Sequence, residues 1–188
     1  IVFMGMGEPL LNYKNVMRSI HFITSEEGLN MSYKRITLST SGISKMIRKL
    51  ADDNVKVNLA LSLHAANEEL RKKIMPIGKS NTLEEIRDSL KYYFSKTKKK
   101  VTYEYVLLRD VNDSIEDAYQ LYKYTKHLSS KVNIIEYNSV EGLEFKKSSF
   151  EKTEKFIGYL LKKGVNVSLR RSRGKDINAA CGQLANKN

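Results

Sequence analysis

Cysteine is almost missing from this chain: Cys181 is the only one among 188 residues. No disulfide framework can form within it, which agrees with a reducing cytoplasm and equally with a secreted protein that carries no bridges. No second cysteine or histidine stands at metal-ligand spacing from His64, so a metal site built on that residue is not indicated. Proline and glycine are scarce as well, at two and ten residues. No low-complexity tract or domain boundary is readable along the chain, and the irregular stretch from Asn138 to Lys147 is too short to be expected as an interdomain linker. Long apolar runs are absent: nothing approaches the roughly 20 residues that span a bilayer, and no charged segment followed by a cleavage site opens the chain. No membrane partner is expected. An initiator methionine is missing too. Ile1-Val2-Phe3-Met4-Gly5 reads at once as a buried strand, with no turn or cap before it, so the chain is expected to be cut from something longer.

What the chain has in excess is positive charge. Thirty-three Lys and Arg against 21 Asp and Glu give a net +12, a balance that favours a polyanion, with nucleic acid the natural candidate, through phosphate contacts and counterion release. Lysine-rich surfaces also serve solubility, and the densest run, Lys96 to Lys100, reads equally as a solvated loop before a strand.

Hydrophobic spacing gives alternating strands and helices. Val16, Met17, Ile20 and Ile23 repeat at helical spacing over residues 13–24, with Gly28 closing the segment. Arg35 to Thr40 is rich in β-branched residues, and Ile43, Met46, Ile47 and Leu50 then share one helical face. Val55, Val57, Leu59, Leu61 and Leu63 alternate as a strand, after which Asn67 caps a short helix that stops before Pro76. Thr82-Leu83-Glu84-Glu85 is a capping box that opens a helix with a Leu83, Ile86, Leu90, Tyr93 stripe. Val101 to Leu108 is a strand, followed by a helix that Ser114 caps, with Ala118, Leu121 and Leu128 inward. Val132 to Tyr137 is the next strand. Ser148 to Glu151 reads as another capping box, opening a helix that ends at Gly164, before a strand with Val165, Val167 and Leu169 alternating. Strands joined by crossover helices at this interval predict parallel βαβ units in an open α/β sheet or a barrel.

In such folds ligands sit beyond the carboxyl ends of the strands, and the residues there are polar. Gly5 and Gly7 allow close backbone approach, and Glu8 offers a carboxylate for an ammonium group or a ribose hydroxyl, although a glycine turn with a solvated Glu fits the same letters. The third glycine of a dinucleotide fingerprint is lacking. Ser39 and Ser62 can donate to a ligand, but the Ser39 to Ser41 cluster reads more readily as a helix cap. His64 fits a structural, hydrogen-bonded role as well as that of a base, and no catalytic triad is supported.

Cys181 is open in the same way. As a buried small hydrophobe it would be inert. As a thiolate it would gain from Arg170, Arg171, Arg173 and Lys175 upstream, with Asp176 opposing them, and from the small neighbours Ala179, Ala180 and Gly182, which suit a tight loop.

The motifs Gly-Met-Gly-Glu-Pro-Leu, Ser-Thr-Ser-Gly, Ser-Leu-His-Ala and Asp-Ile-Asn-Ala-Ala-Cys-Gly-Gln-Leu, in this order and at this spacing, closely resemble those of the radical S-adenosylmethionine RNA adenine methyltransferases of the RlmN type. The resemblance covers essentially the whole chain. It implies a partial (β/α) barrel of parallel strands of the radical SAM type, lacking its first strand, with residues 1–188 forming the C-terminal part of the barrel domain and residues 170–188 the cysteine loop. It implies that Gly7 and Glu8 bind the methionine amino end of S-adenosylmethionine, that Ser39, Ser62, Leu63, His64 and Asn138 add contacts to the cofactor, and that Cys181 carries the methyl group. In that family a first cofactor methylates the thiolate, and a second is cleaved reductively at a [4Fe-4S] cluster to a radical that activates this methyl group for adenine carbon-2 in 23S rRNA, with tRNA as a second substrate. An electron donor for the cluster is implied. The family's three cluster cysteines, a second catalytic cysteine and an N-terminal RNA-binding extension have no counterpart in these residues, so the chain alone is expected to be inactive. Two alternatives stand beside this: the carbon-8 methylating relative, from which Pro9 and Arg171-Ser172-Arg173-Gly174 point away, and a non-catalytic RNA-binding α/β module.

Overall fold

The computed structural model describes residues 1–139 and 142–171. Among these the expected alternation is realised as strands β1 (Val2–Phe3), β2 (Thr37–Thr40), β3 (Asn58–Ser62), β4 (Val101–Leu107), β5 (Ser130–Glu136) and β6 (Val167–Arg170). They are interleaved with helices α1 (Tyr13–Thr24), α2 (Ser44–Asp52), α3 (Glu68–Ile74), α4 (Leu83–Thr97), α5 (Ile115–Thr125) and α6 (Phe150–Lys162). The strands follow chain order, β1 to β6, in a six-stranded sheet, and the β1–β2, β2–β3 and β5–β6 pairs run parallel. With β1 and β6 each bordered on one side, the sheet is open. This is the α/β architecture that the spacing of the elements predicts.

The chain divides into two compact units. The first comprises Ile1–Ser62 and Ile77–Thr102. Its centre is β3, where Leu59, Ala60 and Leu61 are all buried, the continuous apolar run of a parallel strand covered on both faces. Helices α2 and α4 pack together and bury Ile47, Leu50, Ile86, Leu90 and Tyr93, each aliphatic side chain contributing about 1.5–3 kcal/mol on leaving water. The Tyr93 hydroxyl lies 2.8 Å from the carbonyl of Val57 and 3.0 Å from that of Val55. The strand starts at Asn58, later than the alternation suggests, and the Val55 N–H instead donates back to the Leu50 carbonyl of α2 at 3.1 Å. The Thr82–Glu85 capping box is present: Glu85 N–H donates to Thr82 Oγ1 at 3.2 Å and Thr82 N–H to Glu85 Oε2 at 2.8 Å. Two expectations fail here. The segment Ile1–Gly5 is not a buried strand, since β1 spans two residues and Val2 is 63% exposed. Gly28 does not end α1, which stops at Thr24; it is required because a Cβ there would sit 1.7 Å from the Phe22 carbonyl oxygen.

The second unit comprises Leu63–Pro76 and the chain from Tyr103 onward. Tyr103 and Tyr105 point from β4 to the helices, Tyr103 meeting Tyr124 of α5 edge-on at 5.8 Å and Tyr105 lying 5.5 Å from Phe156 of α6. Asn67 caps α3 through the Leu70 N–H at 2.9 Å, and Ser114 forms a capping box with Asp117 on α5, each cap contributing about 1 kcal/mol. Leu128 falls beyond the end of α5 and is not on its buried face. Ser149, not Ser148, caps α6. The Ser148 hydroxyl instead donates to Asp113 Oδ2 at 2.6 Å, which ties the start of α6 to the loop after β4. Gly164, with φ +74°, follows α6 as expected of a helix stop.

Candidate functional site

The first unit contributes the loop after β1. Gly7 adopts φ +82°, where a side chain would be strained, and a Cβ added to it would meet nothing within 4 Å, so the loop is open above this residue. Glu8 is extended and caps the 3-10 turn Pro9–Asn12, its Oε1 accepting from Leu10 N–H at 3.0 Å. Its Oε2 accepts from both the backbone N–H of Ser41 at 2.6 Å and the Ser41 hydroxyl at 2.7 Å. Ser41 is therefore no helix cap, and Ile43, at the N-terminus of α2, makes no side-chain cap. A carboxylate has about four acceptor positions; three donors fix this one, and a position remains for a ligand cation. Ser39 of β2 registers with Ala60 of β3, which puts Ser62, two residues on, on the same sheet face as Ser39.

The second unit holds Leu63, His64 and Asn138. The N–H groups of Leu63 and His64 both donate to the Glu104 carbonyl, at 2.9 and 3.3 Å. His64 is left-handed at φ +55° and is locked there from two sides: Val106 N–H donates to its Nδ1 at 3.1 Å, and Asn112 Nδ2 donates to its carbonyl at 2.7 Å. With Nδ1 an acceptor, the ring proton sits on Nε2. Burial, reinforced by the Arg71 charge, pushes the imidazole pKa down to about 4, so at neutral pH His64 is a neutral donor and not a cation. Asn138 lies two residues past β5 and is buried. Cys181 lies outside the described residues.

Residues 1–122 match the Radical SAM superfamily. The chain belongs to this superfamily. Its members use S-adenosylmethionine with a [4Fe-4S] cluster. Over 187 residues the chain is 57% identical to the probable dual-specificity RNA methyltransferase RlmN of Flavobacterium psychrophilum, covering all of this chain and 54% of that protein. A crystal structure of a radical SAM methyltransferase from Sphaerobacter thermophilus matches with a TM-score of 0.94 at 40% identity, over 97% of this chain and 54% of the other. Streptococcus suis SuiB, solved bound to S-adenosylmethionine, shares the fold at a TM-score of 0.60 and 16% identity, over 92% and 39% of the two chains. The chain thus spans about half the length of the curated relatives it matches.

The sequence reading missed three side chains of the second unit. Glu104 of β4, Asn133 of β5 and Ser168 of β6 lie on the sheet face opposite the one that packs on α5 and α6. Ser168 Oγ donates to Asn133 Oδ1 at 2.8 Å, and Asn133 Nδ2 donates to Glu104 Oε1 at 2.8 Å. A signal was present, since an acid between Tyr103 and Tyr105 must face away from their apolar side. The same unit carries a basic, aromatic surface: Lys163 Nζ lies 5.9 Å from the Tyr122 ring and 5.7 Å from the Tyr159 ring, with Lys126 5.8 Å above Tyr122.

Proposed function

We propose that this chain is the C-terminal part of the barrel domain of a radical SAM RNA methyltransferase that methylates adenine carbon-2 in 23S rRNA and in tRNA. The Glu8 carboxylate, fixed by Ser41 at a strand end in a chain of this superfamily, carries the reading. Glu8 holds the ammonium group of S-adenosylmethionine, and the open backbone at Gly7 lets the cofactor approach. Ser39, Ser62, Leu63, His64 and Asn138 supply further contacts. His64 acts there as a neutral Nε2–H donor, since an imidazolium would repel the sulfonium. The bound cofactor supplies the methyl group.

Cys181 is the group on this chain that can accept it, because thiolate sulfur is the strongest nucleophile available. Of the segment 170–188, expected to be the cysteine loop, Arg170 is the last residue of β6 and residues 172–188 lie outside the described residues. Adenine carbon-2 is not nucleophilic, which is why a relay through sulfur is needed instead of direct transfer. RNA is held by the positive surface, including Lys126 and Lys163 with their tyrosines, through phosphate contacts and base stacking.

The [4Fe-4S] cluster does not fit onto this chain. It holds one cysteine, and no group of three His, Cys, Asp or Glu suited to a metal occurs among the described residues. The cluster ligands and an RNA-binding domain are assigned to the remainder of the whole protein, with an external electron donor. No helix among the described residues is long and apolar enough to cross a membrane, and we place the enzyme in the cytoplasm.

The test is to assay the full-length protein with S-adenosylmethionine, a reductant and 23S rRNA or tRNA, then to digest the RNA and identify the methylated nucleoside. 2-Methyladenosine supports the reading. 8-Methyladenosine moves the chain to the carbon-8 branch, and cofactor-independent RNA binding without any methylation makes it an RNA-binding module.

A further inference from the structure

Glu104 is 5% exposed, and a carboxylate at this depth is costly unless its oxygens are met by donors. Oε1 is met by Asn133 at 2.8 Å, with the Arg170 guanidinium at 3.9 Å. Oε2 is buried and has no hydrogen-bond partner among the described residues. The network behind it has a direction. Ser168 donates to the oxygen of the Asn133 amide, which turns the amide nitrogen toward Glu104 and makes the carboxylate the acceptor end of a chain across β6, β5 and β4. Burial raises the Glu104 pKa, and Asn133, Arg170 and Lys131 pull it back down. The main chain of the same residue accepts from Leu63 and His64, so a ligand seated on those residues lies beside it.

We propose that Glu104 is a ligand-binding carboxylate whose Oε2 accepts a hydrogen bond from an adenosine, through an amino or sugar hydroxyl group, an inference that rests on the function proposed above. Two adenosines meet in that reaction: the one in the cofactor and the one in the RNA. Both present the same donors, and the Oε2 position suits a donor and repels an acceptor.

The test is Glu104→Gln in the full-length enzyme. Gln keeps the oxygen that Asn133 donates to and places an NH2 group at the Oε2 position, so it reverses the polarity met by the ligand while leaving the inner network in place. The thermal midpoint of the ligand-free variant is expected to equal or exceed that of the wild type, because a buried charge is removed. Calorimetry with S-adenosylmethionine and the KM for RNA at saturating cofactor separate the sources. A Kd for S-adenosylmethionine raised about tenfold or more, the scale of a hydrogen bond to a charged group, assigns Glu104 to the cofactor. A KM for RNA raised by that factor with the cofactor Kd unchanged assigns it to the substrate. Both constants unchanged, or a destabilised ligand-free variant, overturns the proposal and makes Glu104 structural. Glu104→Asp, which keeps the charge but draws the acceptor back by one methylene, is read the same way if the Gln variant does not fold. A wild type that binds S-adenosylmethionine and methylates RNA upholds the function even when Glu104 fails; a wild type that binds no S-adenosylmethionine overturns both.

Discussion

Ser41 grips Glu8 with both of its donors, the backbone N–H at 2.6 Å and the hydroxyl at 2.7 Å. The contact joins the ends of β1 and β2 and fixes the carboxylate before any ligand arrives, so that binding need not order it.

Replacing Glu8 with Gln in the full-length protein is expected to weaken S-adenosylmethionine binding by roughly 1.5–3 kcal/mol, the scale of a hydrogen bond to a charged group. Ser41→Ala keeps the backbone donor and loses only the hydroxyl, so its loss is expected to be smaller, about 1 kcal/mol. Calorimetric titration checks both. Equal affinities for wild type and Glu8→Gln would remove Glu8 from the site.

Asn112 is the hub of the loop after β4. Its side chain accepts from Leu108 N–H at 2.7 Å and donates to the carbonyls of His64 at 2.7 Å and Val106 at 2.8 Å, and it is fully buried. Asn112→Ala strands three backbone groups, at about 1–3 kcal/mol for each that stays unmet. Denaturant unfolding is expected to show a loss of at least about 2 kcal/mol, with faster amide exchange at His64. A stability within about 0.5 kcal/mol of wild type would show that water or local rearrangement replaces the side chain.

His64 contributes a pH dependence of definite sign. Its pKa of about 4 in the folded state lies below the ordinary value near 6.5, so between these values the unfolded chain binds a proton that the native one refuses. Stability is therefore complete above about pH 6.5 and declines as the pH falls toward 4, by at most about 3 kcal/mol. Ring resonances of His64 followed by NMR are expected to stay those of the neutral Nε2–H form down to about pH 5. A midpoint near 6.5 would mean that the ring is solvated and free to be charged in the site.

Local signals were legible and distant ones were not. Asn67, Thr82 and Ser114 were readable as caps because each bonds an N–H within three residues. The serines at 148 and 149 were misread since the capping-box spacing to Glu151 favours Ser148, while Asp113, 35 residues away, draws that hydroxyl aside. The same limit hid Ser41. A serine next to a helix satisfies the capping rule by itself, and nothing nearby shows that Glu8, 33 residues earlier, takes both donors. Glu8 and His64 were readable as strand-end polar groups, whereas the register of Asn133 with Ser168 is needed before Glu104 becomes visible as part of a network. Motif likeness supplied what spacing could not, the adenosyl ligand and the expectation that Cys181 carries the methyl group.

The most direct test of the account is the state of Cys181 in the full-length protein. After incubation with S-adenosylmethionine and cleavage after lysine, the peptide from Asp176 to Lys187 is expected to carry the added mass of one methyl group on Cys181, because a thiolate that follows Arg170, Arg171, Arg173 and Lys175 in the sequence is expected to be nucleophilic where a thiol in an apolar core is not. Cys181→Ala is then expected to abolish RNA methylation while S-adenosylmethionine still binds with unchanged affinity. An unmodified peptide, together with full methylation of adenine carbon-2 by Cys181→Ala, would contradict the account.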